Sequence, residues 1–199
     1  WECRAPTGAP GHHRRVVPPE ALLGAEAVVH LSGEPVAEKR WTSEQKRLIL
    51  ETRVLGTRRL VEGVMNHGPD IKSFVHGSAI GIYGDRADAP LSAASAKGTG
   101  FLADVVEAWE AELRPLASRR PDVRAVIVRT GIVLARQRGA LAKMLPLFRA
   151  SAAGRLGSGR QWMSWIHIDD IVGTFLHALD SQAVGVLEGV APQPATNRE

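Results

Sequence analysis

Two side chains that can carry protons lie close together in one short stretch, Phe74–Asp85. The stretch begins as an apolar strand and then breaks at Gly77-Ser78-Ala79, which leaves backbone amides and the Ser78 hydroxyl at the end of the strand. In open α/β sheets ligands bind beyond the carboxyl ends of the strands, and the phenol of Tyr83 follows closely. Ser78 and Tyr83 are therefore our candidates for acid–base chemistry in such a crevice. The same residues also suit a tight turn in which they bond only to backbone groups.

A second stretch places His167 beside two carboxylates, Asp169 and Asp170. A histidine next to a carboxylate is one arrangement of a general base. We favour a structural interpretation, in which Asp169 caps the helix that opens here and His167 packs or bonds to the backbone. The pair His12-His13 has no further donors at ligand spacing, so the sequence predicts no metal site.

An α/β sheet is needed to position these residues. Unbroken apolar runs of strand length indicate strands that are buried on both faces, and hence a parallel sheet. Such runs are Ala27–Leu31, Ser73–His76 and Val123–Val128, and Gly185–Val190 is predicted as a last strand. Helical patterns alternate with them, and this order is typical of a doubly wound parallel sheet.

The strongest helix begins at Thr42, because Thr42 and Gln45 have the spacing of a capping box. It should end near Asn66, before Gly68-Pro69. The later elements are predicted with the following bounds: a helix over Phe101–Ser118, a helix over Ala140–Ala150 interrupted by Pro146, a glycine-rich loop over Gly154–Gly159, a strand over Gln161–Ile168 and a helix over Asp170–Leu179.

The composition is that of a globular protein of 199 residues with 44% hydrophobic residues and a formal net charge of +4. The basic residues form no long tract and only one tyrosine and four phenylalanines are present, so nucleic-acid binding is unsupported. No apolar run reaches the length of a membrane span. A single cysteine, Cys3, excludes an intrachain disulfide, and with no apolar leader pattern at the amino terminus we expect a cytoplasmic protein.

Six short motifs occur in one order along nearly the whole chain. They are Val28–Glu34, Arg40-Trp41, Thr52–Thr57, Gly77-Ser78-Ala79 with Tyr83-Gly84, Arg129–Leu134 and Trp165–Asp170. Together they resemble the atypical extended short-chain dehydrogenase/reductases, specifically the YfcH-like group described as nucleoside-diphosphate-sugar epimerases. The resemblance implies a single NAD(P)-binding Rossmann-type domain over residues 1–199. The Gly-x-x-Gly-x-x-Gly turn of that fold does not occur here, so we expect a fragment that is incomplete at the N-terminus and also lacks the C-terminal segment.

The resemblance also implies which residues contact NADP or NAD. Leu31, Ser32 and Gly33 match the strand end beside the adenosine half of the cofactor, where Gly33 would permit close approach of the backbone. Arg53 matches a position that meets the cofactor, and an arginine can pair with phosphate. Two further matched positions are Leu48 and Val133. From the sequence alone, the segment 31–33 would be interpreted as the end of a buried strand and Arg53 as a solvated arginine. Leu48 and Val133 would be interpreted as core residues.

In the resembled family a tyrosine and a lysine one helical turn apart transfer the proton. The matching positions here are Leu102 and Val106, and neither can do so. Ser78, Tyr83, Asp104 and His167 are the substitutes to consider, with Ser78 and Tyr83 preferred. The expected function is that of an NAD(P)-dependent epimerase or oxidoreductase acting on a small molecule such as a nucleotide sugar, with a substrate-side portion around residues 84–100 and 135–165. The alternative is a dinucleotide-binding sensor or interaction protein that lacks the Tyr–Lys pair.

Overall fold

Four of the apolar segments form one parallel sheet in the computed structural model, which describes residues 17–150, 154 and 157–198. The strands are β1 (Ala27–His30), β2 (Ser73–Ala79), β3 (Arg124–Thr130) and β7 (Gly185–Gly189), and they lie side by side in the order β1-β2-β3-β7. Each neighbouring pair is parallel, so all four carboxyl ends meet at one edge. This confirms the predicted parallel sheet.

Helices cover both faces of the sheet. They are α1 (Ser43–His67), α2 (Phe101–Ala111), α3 (Arg114–Arg119), α4 (Gly139–Arg149) and α5 (Ile168–Asp180). The predicted start of α1 is confirmed, because the Thr42 hydroxyl accepts a hydrogen bond from the Gln45 amide over 3.2 Å. Among the described helices, none is both long enough and apolar enough to cross a membrane.

Two apolar layers hold these helices on the sheet. On one face, Val61 and Val64 of α1 pack with Leu116 of α3 and Phe74 of β2, and these four side chains are at most 1% exposed. On the other face, α5 packs against β2 and β3 through a second buried cluster: Val75, Val126, Val128, Ile166, Ile171 and Ala178. A buried apolar layer on each side of a parallel sheet is the arrangement that the unbroken apolar strands predict.

The outer strand departs from that rule. β1 is the edge of the four-stranded sheet, and Val29 within it is 41% exposed. The prediction that this strand is buried on both faces was therefore wrong for β1 among the described residues. Its inward residue, His30, is 4% exposed and faces α1 and α2.

Short elements complete the described chain. They are two single-turn 3-10 helices (Pro19–Ala21 and Ile80–Tyr83), the parallel pair β4 (Ile132–Leu134) and β6 (Trp165–His167), and the antiparallel pair β5 (Trp162–Met163) and β8 (Ala195–Thr196). The strand expected over Gln161–Ile168 is thus two strands, because its two ends pair with different partners.

Two helix predictions also need correction. The helix expected over Phe101–Ser118 is broken between α2 and α3, since Pro115 has no N–H to donate to the Ala111 carbonyl. Conversely, α4 continues through Pro146 to Arg149, where the proline removes a single bond near the helix end. His12-His13 and Cys3 lie outside the described residues, as does part of the glycine-rich loop 154–159.

Candidate active site

A row of polar side chains crosses three neighbouring strands near their carboxyl ends. Ser78 of β2 is the register partner of Arg129 in β3, and Arg129 is the register partner of Glu188 in β7. Side chains alternate between faces along a strand, so aligned residues of parallel neighbours project from the same face. For these three residues that is the face covered by α2, which contributes Glu110.

Glu110 binds two members of this row. Its carboxylate accepts two hydrogen bonds from Arg129, over 2.9 and 2.8 Å, and one from the Ser78 hydroxyl over 2.6 Å. The Arg129 and Glu110 side chains are 10% and 13% exposed. The carboxylate raises the pKa of Arg129 above its ordinary value, so the guanidinium stays charged.

Tyr83 extends the network from the 3-10 turn that follows β2. Its hydroxyl accepts a hydrogen bond from Arg129 over 2.8 Å and donates one to Glu188. Burial and the hydrogen bond to the Glu188 carboxylate raise the pKa of Tyr83 to about 12. The phenol is therefore neutral at physiological pH and holds its proton toward Glu188.

A cleft of about 720 Å³ opens beside this pair, within the usual size range of small-molecule sites. Tyr83 and Glu188 line it, together with residues of two loops. One wall is formed by residues 84–88 and Leu91, and the other contains Arg160, Gln161, Trp162 and Ser164. The cleft lies at the carboxyl end of the parallel sheet, where α/β proteins bind their ligands.

Glycines fix the path of the first wall. Gly84 has a φ of +62°, and a Cβ at Gly98 would lie 1.8 Å from the Tyr83 carbonyl oxygen. The Gly98 amide donates to the Ile82 carbonyl over 2.9 Å, which closes the loop between these positions. Only glycine permits such a close approach of the two backbone segments. Gly84 and Gly98 at the two ends of the loop therefore help to position Tyr83 at the cleft.

Asp88 connects the two walls. Its Oδ1 accepts a hydrogen bond from the Trp162 indole over 2.7 Å, and Arg160 lies 3.7 Å from its other oxygen. The mouth of the cleft is therefore bridged by one carboxylate.

The residues predicted to meet a cofactor separate into two groups. Leu31, Ser32 and Gly33 are exposed beyond the end of β1, and Arg53 of α1 lies against Gly33, where an added Cβ would be 3.0 Å from the guanidinium carbon. One nitrogen of Arg53 donates to the Glu34 carbonyl over 2.9 Å, and its guanidinium stacks 5.0 Å from the Trp109 ring. Burial lowers the pKa of Arg53.

Leu48 and Val133 occupy other places. Leu48 is a half-buried residue of α1, and Val133 of β4 packs against the buried cluster beneath α5. An open glycine edge with an arginine beside it fits one wall of a dinucleotide site, because it combines close backbone approach with positive charge. Val133 lies in the apolar layer beneath α5, whereas that edge lies beyond the end of β1.

The remaining candidates have structural partners. Leu102 lies against Gly81, and Val106 is 3% exposed in the cluster beneath Tyr83, so both positions of the family's Tyr–Lys pair are apolar packing sites. Asp104 pairs with Lys97 over 2.6 Å. His167, rather than Asp169, is the cap of α5, since its Nδ1 accepts from the Asp169 amide over 3.3 Å. Within the described ranges, no group of three or more metal-ligating side chains could hold a metal ion.

Glu188 and Arg129 are functional candidates that the sequence reasoning missed. Arg129 ends an apolar strand, and a charged residue in such a strand indicates a buried partner. Glu188 is likewise a charged residue within a predicted strand, Gly185–Val190, but no local pattern identifies its partner, since Tyr83 is 105 residues away along the chain.

Comparison with known proteins assigns the fold to a family. A model of the NAD-dependent epimerase/dehydratase family matches residues 19–189, which is most of the chain. The chain belongs to this family. An epimerase family protein of Mycobacterium leprae is 36% identical over 181 residues, covering 90% of this chain and 58% of that protein. The epimerase-family chain therefore spans less than two thirds of the length of this curated relative.

Solved structures agree with the assignment to the epimerase/dehydratase family. The human epimerase family protein SDR39U1, solved with NADPH, superposes with a TM-score of 0.80 at 33% identity and covers 89% of this chain and 62% of that chain. A nucleoside-diphosphate sugar epimerase from Corynebacterium glutamicum gives a TM-score of 0.79 at 35% identity and covers 90% of this chain and 37% of that one. The fold is accordingly an NAD(P)-binding Rossmann fold.

Proposed function

We propose that this protein is an NAD(P)-dependent epimerase or oxidoreductase of the YfcH-like group, acting on a small molecule of the nucleotide-sugar class. The observation that carries the proposal is the cleft at the carboxyl end of the sheet, which Tyr83 and Glu188 both line. Family membership supports the cofactor, and the name of the similar Corynebacterium protein supports the substrate class.

The cofactor would lie along the exposed end of β1. The backbone there is exposed, so a cofactor could contact it at Leu31, Ser32 and Gly33. Arg53 supplies a positive charge beside Gly33. Leu48 and Val133 are proposed as flanking apolar contacts on the strength of the resemblance. When bound, a nicotinamide supplies hydride transfer to or from a carbon of the substrate.

Tyr83 is the proposed proton-transfer residue, because it lines the cleft and its hydroxyl is held by two partners. Ser78 is proposed as a positioning residue, since its hydroxyl is bonded to Glu110 and reaches Tyr83 only through Arg129. The substrate would lie between the wall around residues 84–100 and the part of the segment 135–165 that contains Arg160 and Trp162.

One observation favours a second candidate. The positions of the Tyr–Lys pair are filled by Leu102, which is half-buried beside Gly81, and by Val106, which is buried. A sensor or interaction protein that binds NAD(P) without turnover would need no proton-transfer groups at these positions. Apolar side chains that pack well would be sufficient there.

Binding of NADPH and NADH, followed by nicotinamide fluorescence, tests the dinucleotide site. We expect saturable binding that Arg53→Ala weakens by about tenfold, the loss of one charged contact of about 1.4 kcal/mol. Arg47→Ala is the matched control, because Arg47 lies on the same helix in an exposed pair with Glu51. Absence of binding in the parent protein would remove both candidate functions.

Turnover separates the two candidates. UDP-glucose and UDP-glucuronic acid, each with NAD⁺ or NADP⁺, would be followed by nicotinamide absorbance and by chromatography of the sugar nucleotides. We expect product with the parent protein, a loss of about 100-fold or more in Tyr83→Phe and a loss of less than about tenfold in Ser78→Ala. Cofactor binding without any product from this substrate class would favour the sensor.

A further inference from the structure

Glu188 stands at the cleft end of the polar network. It lines the cleft, accepts the Tyr83 proton in a hydrogen bond and occupies the strand position beside Arg129. We propose that Glu188 is a catalytic residue, the base that receives the proton of Tyr83 when Tyr83 takes one from the substrate. This inference rests on the proposed function and adds to it the residue that replaces the missing lysine.

We call the path of the proton from the substrate through Tyr83 to Glu188 the relay. The hydrogen bonds of Arg129 determine its direction. Two of its donor groups bind Glu110, and another binds the Tyr83 oxygen from 2.8 Å. A phenol oxygen that accepts from a fixed guanidinium must turn its own hydrogen elsewhere, and the acceptor in contact is Glu188. The Tyr83 proton therefore points at the carboxylate in the resting protein.

The environment of Tyr83 makes an acceptor necessary. In the resembled enzymes a lysine lowers the pKa of the tyrosine so that a phenolate can act near neutral pH. Here the pKa of Tyr83 is raised to about 12, so the phenolate is scarce at pH 7. Tyr83 can accept a proton only if it gives up its own at the same time, and the Glu188 carboxylate is in contact to take it.

The proposed step moves two protons and no electrons. The O–H bond of a substrate hydroxyl breaks as a new O–H bond forms on Tyr83, while the original Tyr83 O–H bond breaks and an O–H bond forms on Glu188. The substrate is left as an alkoxide, and the negative charge of the Glu188 carboxylate has passed to it. In the reverse direction the protonated Glu188 returns the proton through Tyr83.

Charged groups from several neighbouring elements surround Tyr83 and Glu188. Each of them belongs to the hydrogen-bond network or lines the cleft. They are Arg129 from β3, Glu110 from α2, Asp85, Arg86 and Asp88 from the first wall, and Arg160 from the second. A change at Glu188 alone must therefore be compared with a carboxylate change elsewhere. Glu112 is suitable, because it also forms a two-point pair with an arginine, Arg58, and is not among the residues that line the cleft.

The chain contains one tyrosine, so Tyr83 can be titrated without overlap. We would label it with ¹³C at Cζ and follow its shift with pH in the purified parent protein, in Glu188→Gln and in Glu112→Gln, with circular dichroism as a check of folding. Glu188 raises the pKa of Tyr83, so Glu188→Gln should lower that pKa and Glu112→Gln should leave it unchanged. An unshifted Tyr83 in folded Glu188→Gln would overturn the relay whether or not a substrate has been found.

Kinetics with the nucleotide sugars provide the second readout. Glu188→Gln should reduce kcat by about 100-fold or more, with NADPH binding unchanged, and the double variant with Tyr83→Phe should be no slower than either single variant. Parental turnover in Glu188→Gln would overturn the relay but leave the proposed function in place. Loss of NADPH binding in the parent protein would instead overturn the proposed function itself.

Discussion

Arg129 and Glu110 form a two-point ion pair between strand β3 and helix α2, with nitrogen–oxygen distances of 2.9 and 2.8 Å. Both side chains are largely buried. Each also binds a candidate site residue: Glu110 binds Ser78, and Arg129 binds Tyr83. The Arg129–Glu110 pair therefore has two effects. It stabilises the contact between β3 and α2, and it holds the Tyr83 hydroxyl in place beside the cleft.

Removing the charge of Glu110 should be costly. Glu110→Gln leaves the Arg129 guanidinium without its ion-pair partner at a nearly buried site, and we expect a loss of about 3 kcal/mol in the free energy of unfolding. The control, Glu112→Gln, weakens a pair with the half-exposed Arg58, where the loss should be below about 1 kcal/mol. Urea denaturation followed by circular dichroism measures both, and equal losses would contradict the assignment of Glu110 as the buried anchor.

Two buried histidines should make the protein acid-sensitive. His30 and His76 stack with ring centroids 5.4 Å apart, and neither ring nitrogen of His76 has a hydrogen-bond partner among the described residues. Burial lowers the pKa of His76 to about 3 and that of His30 to about 4, against about 6.5 in an unfolded chain. The unfolded chain therefore binds more protons below about pH 6.5, and stability that is complete above this pH is lost as the pH falls.

The slope of stability with pH tests this linkage. Each histidine should remove up to about 1.4 kcal/mol per pH unit between about pH 6 and pH 4, so His76→Phe should reduce the histidine contribution to the slope by about half. A slope in His76→Phe equal to that of the parent would show that His76 is protonated in the folded state.

The bridge at Asp88 should hold both walls of the cleft. Asp88→Ala removes the acceptor of the Trp162 indole and the partner of Arg160, whereas Asp88→Asn keeps an acceptor oxygen for Trp162. Hydrogen exchange measured by mass spectrometry should therefore be faster in the peptides covering residues 84–100 and 157–165 of Asp88→Ala, and close to that of the parent in Asp88→Asn. Unchanged exchange in Asp88→Ala would mean that the walls are held by other contacts.

The role of His167 as a helix cap predicts an effect on stability without one on chemistry. His167→Ala should lower the free energy of unfolding by about 1 kcal/mol, and His167→Asn, whose side chain is a good cap, should restore most of it. Turnover of the nucleotide sugars should be unaffected in both variants. A loss of activity in the stable His167→Asn would instead return His167 to the list of catalytic candidates.

Local patterns were sufficient for much of the fold. The capping spacing of Thr42 and Gln45 located the start of α1, and segments of strand length, three of them mainly apolar, predicted the four parallel strands. Two of the errors occurred where one residue changed a local pattern without changing its hydrophobicity. Pro115 divided the expected helix over Phe101–Ser118, and the bonding of His167 to the Asp169 amide shifted the cap of α5 by two residues.

The sequence by itself determined the class of sheet, the crevice at the end of β2 and the family, because these depend on residue types at short spacing. It also predicted that Ser78 and Tyr83 lie at that crevice, and Tyr83 is among the residues that line the cleft. Only the tertiary structure decided what they contact: the register of β2, β3 and β7 aligns Ser78, Arg129 and Glu188. Register arises from packing between segments far apart in the chain, so no local pattern reveals that Tyr83 donates a hydrogen bond to Glu188 while the hydroxyl of Ser78 is bound to Glu110.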